Sequence, residues 1–241
     1  MKHFNFRSFV AATAFVAGVF GFAAGAIGDA SFSKPYVVRG NTHMIVGVTL
    51  DEAAVRAALP AGLEPAEGIT GGLNIYRSGG GYDHPAYTRA YVWVDLAGFD
   101  SASGAKGRYV LWGVTGPGAK GAQAEGLNLV DGSSVIDESG NTVVGTAMHK
   151  GAEIMRIELT LSEEPCGEAS GTLNYPVVLP ASGEKAMHQY PFATNFCGAT
   201  PANVNISVGA SHPLNKFRPA SVNWAALARD LSFAGVMVRR D

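Results

Sequence analysis

A chain of 241 residues, 47% hydrophobic and only 16% charged, has ample apolar material for a core, so its composition excludes a disordered protein. The 31 glycines and 12 prolines point to many turns and short strands and away from a helical bundle. A formal net charge of -2, with no basic run beyond Arg239–Arg240, argues against electrostatic binding of nucleic acid.

Residues 1–26 read as a secretory signal, leaving 27–241 as one domain. Lys2 and Arg7 give a positive start, Phe9–Ala26 carries no charge, and Ala24-Gly25-Ala26 supplies the small residues of a cleavage site. The alternative is an uncleaved membrane anchor, since the apolar run is near the lower limit for spanning. With the leader removed, the expectation is a secreted or periplasmic protein with no membrane contact.

Candidate strands then recur at short intervals. They are Tyr36–Arg39, Met44–Leu50, Gly72–Arg77, Thr88–Leu96, Arg108–Val114, Leu127–Ile136, Thr142–Met148, Glu153–Leu161, Ser170–Val178, Asn203–Val208 and Phe233–Val238. Most alternate. Ala90, Val92 and Val94 share one face of their strand, and Tyr91, Trp93 and Asp95 share the other. Turn signals such as SGGGYDHP, DESGNT and LPASGEK separate the runs. One short helix is expected over Asp51–Ala58, stopped by Pro60 and Gly62. Ser221–Phe233 fits a helix by propensity, with Val222, Ala225, Ala226 and Arg229 at helical spacing. The pattern as a whole predicts a mainly β (α+β) fold, barrel or sandwich, with a few short helices.

Chemical motifs are sparse. Gly116-Pro-Gly118-Ala-Lys-Gly121 matches G-x-G-x-x-G, but Pro117 and the extra glycines spoil a helix start, so a glycine-rich loop is expected. The six histidines (3, 43, 84, 149, 188 and 212) show no metal-ligand spacing, and no G-x-S-x-G occurs. No metal and no cofactor are therefore expected. Cys166 and Cys197, in an exported chain, suggest a disulfide closing a loop of about 30 residues, worth on the order of 3 kcal/mol. Two separate buried thiols are the alternative. His149 and Lys150 stand between two apolar strands, beside Gly145 and Gly151. A lysine near other cations in an apolar pocket loses its proton more easily and can attack a ketone to form a Schiff base. An isolated lysine is also commonly a solvated hairpin residue.

Three segments resemble the acetoacetate decarboxylase family: NTHMIVGVTLDEAAVRAALPAGLEP, YTRAYVWVDLAGFDSASGAKGRYVLWGV and HPLNKFRPASVNWAALARDLSF. The resemblance covers nearly the whole exported chain. It implies a closed β-barrel around a small apolar cavity, and makes Ser221–Phe233 a long bent strand rather than a helix. It also implies a cofactor-independent lyase, of decarboxylase or aldolase–dehydratase type, acting through a lysine imine. Matched to the family without gaps, its two lysine positions fall on Met148 and His149, with Ala147 replacing a proline and Lys150 one residue late. The family's acidic residues fall on Asn74 and Arg89. The arginine expected near Asn41 is absent there, and Arg39 lies two positions away. On this reading Lys150 forms the imine, His149 lowers its pKa or shuttles protons, and Arg39 or Arg89 holds a carboxylate, with Asn74 and Met148 also at the site. Arg89 in place of an acid favours an anionic ligand. The alternative reading is a non-catalytic binder of small organic anions. The expected partner is a small carboxylate or carbonyl compound; a homo-oligomer is left open.

Overall fold

The computed structural model describes residues 35–239 except 83, 118 and 120–124. The proposed leader lies outside the described residues. Among the described residues the fold is mainly β: one long sheet, one short helix and two short 3-10 helices.

The strands are β1 (Tyr36–Thr49), β2 (Thr70–Ser78), β3 (Gly81–Tyr82), β4 (Tyr87–Leu96), β5 (Gly107–Thr115), β6 (Leu129–Asp131) and β7 (Ser133–Ser139). There follow β8 (Thr142–His149), β9 (Ala152–Leu161), β10 (Gly167–Val178), β11 (Lys185–Val208) and β12 (Ser221–Arg239). They pair in the order β6-β5-β4-β2-β1-β12-β11-β9-β8-β7, with β10 on β11 and β3 on β1. Every described pair is antiparallel except β5–β6. The ladder ends at β6 and β7, which do not pair with each other, so the sheet curves without closing and the expected closed barrel is corrected to an open one. The break is local. Leu127–Ile136 was expected as one strand, but it divides at Gly132, whose N–H bonds the Thr115 carbonyl while the chain turns from the β5 edge into β7.

The helix α1 (Glu52–Ala58) forms as its residues dictate. The Asp51 side chain accepts from the Ala54 N–H at 2.8 Å, Val55 is its one buried residue, and Leu59 caps it before Pro60. The Glu52–Arg56 ion pair is exposed and adds little. The following LPAGLEP segment runs along the end of β4: Pro65 bridges Leu96, and Ala66 N–H bonds the Asp95 carbonyl.

Ser221–Phe233 lies within β12, a strand and not a helix. Asp230, at φ +53°, breaks its register against β1 between Ala228 and Leu231 and bends it. The longest strand, β11, includes residues 185–202, where no strand was expected; polar side chains interrupt the alternation there because much of its length is exposed. Cys166 and Cys197 form a disulfide directly after the Gly167–Phe196 pair, tying the start of β10 to the middle of β11.

The central strands are buried on both faces. Met44, Val46 and Val48 of β1, Leu73 and Ile75 of β2, and Val92 and Val94 of β4 pack against Met155, Ile157 and Leu159 of β9. Gly145 of β8 packs closely there: a Cβ would lie 2.9 Å from Met44 Sδ, so the methionine side chain would have to shift to admit one. The opposite faces, with Ile45, Tyr76, Tyr91 and Trp93, belong to a second, aromatic cluster with β10, β11 and β12. The site lies on this second side.

Candidate functional site

The aromatic side encloses a cavity of about 110 Å³. Its chemistry comes from alternate residues of three adjacent strands. In register, His43 (β1), Tyr76 (β2) and Arg89 (β4) form one row across the sheet, and Ile45, Asn74 and Tyr91 form the next. Period-two geometry puts all six on one face. β5 adds Arg108, and the segment leading into β6 adds Leu127 and Leu129. The far wall is Tyr175, Tyr190, Phe192 and Phe233. Trp224 is the one exposed lining residue among those described, at 45%, and marks the mouth. Its ring lies over Gly47, where a Cβ would be 2.1 Å from the indole nitrogen.

Arg89 is the dominant group. It is 7% exposed, and its guanidinium lies over the rings of Tyr87 at 5.1 Å and Tyr76 at 5.8 Å. Among the described residues no carboxylate pairs with it, its side chain donates no hydrogen bond, and Nε is buried without a partner. Burial favours the neutral form, while negative charge on Tyr76, Tyr87, Tyr36 or Tyr190 would favour the guanidinium and moves its pKa up; since a guanidinium already titrates far above neutral pH, Arg89 stays charged. Those hydroxyls are not counter-ions. Burial raises the pKa of Tyr76 and Tyr190 well above the ordinary tyrosine value, so both are neutral at physiological pH. The second guanidinium differs: Arg108 lies 4.5 Å over the Trp93 ring and 3.9 Å from Asp95.

The neutral polar groups form a connected set. Asn74 Nδ2 donates to Tyr91 Oη at 3.0 Å and contacts His43 Nδ1 at 3.3 Å, and Tyr91 Oη meets Tyr175 Oη at 3.1 Å. His43 stacks on Tyr76 with ring centroids 4.1 Å apart. Burial, reinforced by Arg89, lowers its pKa to about 3, so the imidazole is neutral. His43 Nε2 and Asn74 Oδ1 are buried without partners.

Of the residues singled out in the sequence, Asn74 and Arg89 lie on the cavity wall. The others lie elsewhere. Lys150 and Gly151 form the two-residue turn between β8 and β9, at φ +50° and +79°. Lys150 is exposed and is not a lining residue, so the expectation that its amine enters the chamber is corrected: the turn itself carries the side chain outward. His149 is half-buried in a separate cluster, with Nδ1 3.3 Å from His212 Nε2 and both rings against Trp112. Met148 is half-buried beside it, off the cavity. Arg39 is exposed because β1 is irregular there. Gly40 takes φ +62°, and Asn41 turns inward to donate to the Leu231 carbonyl, so Arg39 and Asn41 do not share a face. Gly116 and Pro117 lie in the loop after β5; Gly118, Lys120 and Gly121 of the motif lie outside the described residues. Among the described residues no cluster of three metal-ligating side chains exists and no lysine lines the cavity. His43, Tyr76, Tyr91 and Arg108 were missed. Their signal was present: one face of each strand is aliphatic, while the alternate face mixes aromatic and polar residues, unlike either a plain core or a wet surface.

Fold and cavity together define the class: a curved, open β-sheet protein enclosing a small aromatic chamber. The same architecture occurs in solved acetoacetate decarboxylases. The Legionella pneumophila enzyme matches with a TM-score of 0.66 at 12% identity, over 91% of this chain and 93% of that one. An acetoacetate decarboxylase-like enzyme from Sphingomonas wittichii matches at 0.60 and 16% identity, over 86% and 92%. The enduracididine biosynthesis enzyme MppR, solved with pyruvate, matches at 0.62 and 11% identity, over 87% and 91%. No protein-family model matches the chain, and no curated protein does. The chain thus has the acetoacetate decarboxylase-like fold, as its three sequence segments led one to expect.

Proposed function

We propose that this protein binds a small organic carboxylate in the aromatic cavity, with Arg89 holding the carboxylate and the tyrosine and phenylalanine walls holding an apolar body. The carrying observation is the guanidinium of Arg89, buried and without an ion pair or side-chain hydrogen bond among the described residues; the nearest carboxylate influence, that of Glu125, reaches the surrounding tyrosines Tyr36, Tyr87 and Tyr190 without pairing with Arg89. Burying an unpaired charge costs several kcal/mol. A carboxylate entering beside it recovers that cost through charge-assisted, bidentate hydrogen bonds. Pyruvate in the structure of MppR supports an oxo or related acid as ligand.

A second reading, imine-forming lyase chemistry, is supported by the decarboxylase-like fold alone. It needs an amine on the wall, and Lys150 is not there. The binding reading is therefore preferred. The disulfide fits an oxidising compartment, so we place the chain outside the cytoplasm.

Isothermal titration with 3-phenylpropionate tests the binding. The expected result is saturable binding to the native protein and its loss in Arg89→Gln. Undiminished binding in a folded Arg89→Gln protein would overturn the assignment. Borohydride reduction with a 3-oxo acid tests the lyase reading: no covalent label is expected, and a label on the protein would reinstate imine chemistry.

A further inference from the structure

Arg89 and Arg108 both line the cavity, and they stand at opposite ends of it. Arg89 and Trp93 are four residues apart on β4, about 13 Å along the strand. The Arg108 guanidinium lies on the Trp93 ring at 4.5 Å. That of Arg89 leans the other way, over Tyr87 at 5.1 Å. The Arg108 end is the mouth. The Trp93 ring covers Gly72, the Trp224 ring covers Gly47, and these two glycines pair across β1 and β2.

The two ends differ in charge. Arg89 has no acidic partner among the described residues. Arg108 has Asp95, 3.9 Å from its Nε. Thr70 Oγ1 and Trp93 Nε1 donate to Asp95 at 2.9 and 3.0 Å and fix it there. Asp95 is not a lining residue, so the balancing charge lies outside the cavity wall. Arg108 is balanced in charge but not in hydrogen bonds. Nε is buried without a partner, 3.9 Å being too long for one, and the guanidinium otherwise meets the hydroxyl of Tyr175, itself on the cavity wall.

A guanidinium only donates, so whatever faces it must accept. At Arg89 an anion supplies both acceptor and missing charge. At Arg108 a second anion would add an excess negative charge beside Asp95 in a poorly solvated place. A carbonyl oxygen accepts there without adding charge. The span sets the length: about 13 Å, less about 3 Å of hydrogen bond at each end, leaves about 7 Å or more between the two ligand groups. A 3-oxo acid, with its carbonyl carbons about 2.5 Å apart, is too short.

Resting on the carboxylate reading above, we infer that the ligand is an extended oxo acid, its carboxylate on Arg89 and a distant, uncharged carbonyl oxygen on Arg108 at the mouth.

Three probes that differ only at the far end test this: 3-phenylpropionate, 3-(4-acetylphenyl)propionate and 3-(4-carboxyphenyl)propionate, titrated calorimetrically into the full chain. The expected result is about tenfold tighter binding of the acetyl compound than of either other probe. In Arg108→Met the difference between the acetyl compound and 3-phenylpropionate should vanish. An advantage that persists in folded Arg108→Met overturns the assignment to Arg108. If Arg108→Met fails to fold, the ranking on the native protein alone decides. If the acetyl compound binds no tighter than 3-phenylpropionate, the distant carbonyl is wrong and the carboxylate site stands. If the dicarboxylate binds tightest, Arg108 takes an anion and the inference is overturned. If none binds, the carboxylate site itself is wrong and the inference falls with it.

Discussion

Replacing Arg89 with methionine should make the empty protein more stable while abolishing ligand binding. Arg89 is 7% exposed, has no acidic partner among the described residues, and leaves Nε without a hydrogen bond. The desolvation cost of such a charge is several kcal/mol after relaxation. Two cation–π contacts, at 5.1 and 5.8 Å, return about 1 kcal/mol each. Methionine keeps a similar length, removes the charge and fits among tyrosine rings. The net expectation is a gain of about 2 kcal/mol, or a rise in Tm of about 4–8 °C for a domain of this size. Urea unfolding of the apo proteins, followed by tryptophan fluorescence, gives the difference directly. Adding 3-phenylpropionate should raise the Tm of the native protein and leave that of Arg89→Met unchanged. A loss of stability of more than about 1 kcal/mol in Arg89→Met would show that the guanidinium is compensated in the empty protein, and the argument for an awaiting anion would fail.

Other consequences are as direct. His43 has a folded pKa of about 3 against an ordinary 6.5, so below pH 6.5 the unfolded chain takes a proton that the folded chain refuses. Stability should fall by about 1.4 kcal/mol per pH unit between roughly pH 6 and 3, amounting to about 2 kcal/mol at pH 5. His212, whose pKa is lowered by burial and by His149, acts in the same direction. Urea titrations at pH 7 and pH 5 check this, and His43→Phe should flatten the slope; an unchanged slope would remove His43 as the cause. Reducing the Cys166–Cys197 bridge, which spans 31 residues, should cost about 3–4 kcal/mol, measured by unfolding with and without dithiothreitol. Lys150→Ala should leave 3-phenylpropionate affinity unchanged, because the side chain is exposed in the β8–β9 turn; a tenfold loss would put the amine in the site after all. Gly47→Ala should push the Trp224 ring off the mouth and shift its fluorescence, because the new Cβ would collide with the indole.

Much of the fold was legible in the chain because its signals are local. Asp51 and Pro60 bracket α1, period-two alternation marks most strands, and the second and third resembling segments align with β4–β5 and β12. Closure was not legible. Whether β6 meets β7 is decided by a turn at Gly132 that no pairing rule within either segment foretells. The part of β11 before Asn203, three quarters of its length, was hidden because an exposed strand need not alternate. At the site, Arg89 and Asn74 could be found by matching positions, since β2 and β4 are regular. Arg39 and Lys150 could not be placed that way. Each lies beside a residue at positive φ, Gly40 and Gly151, where counting by twos along a strand stops describing direction.

Because β1, β2 and β4 are buried on both sides, every second residue belongs to the scaffold and the residues between belong to the chamber. Mutation can therefore rewrite the lining one position at a time while the aliphatic set goes untouched. A lineage built this way can change what it recognises without being rebuilt, and two descendants can keep one shape while agreeing on few letters.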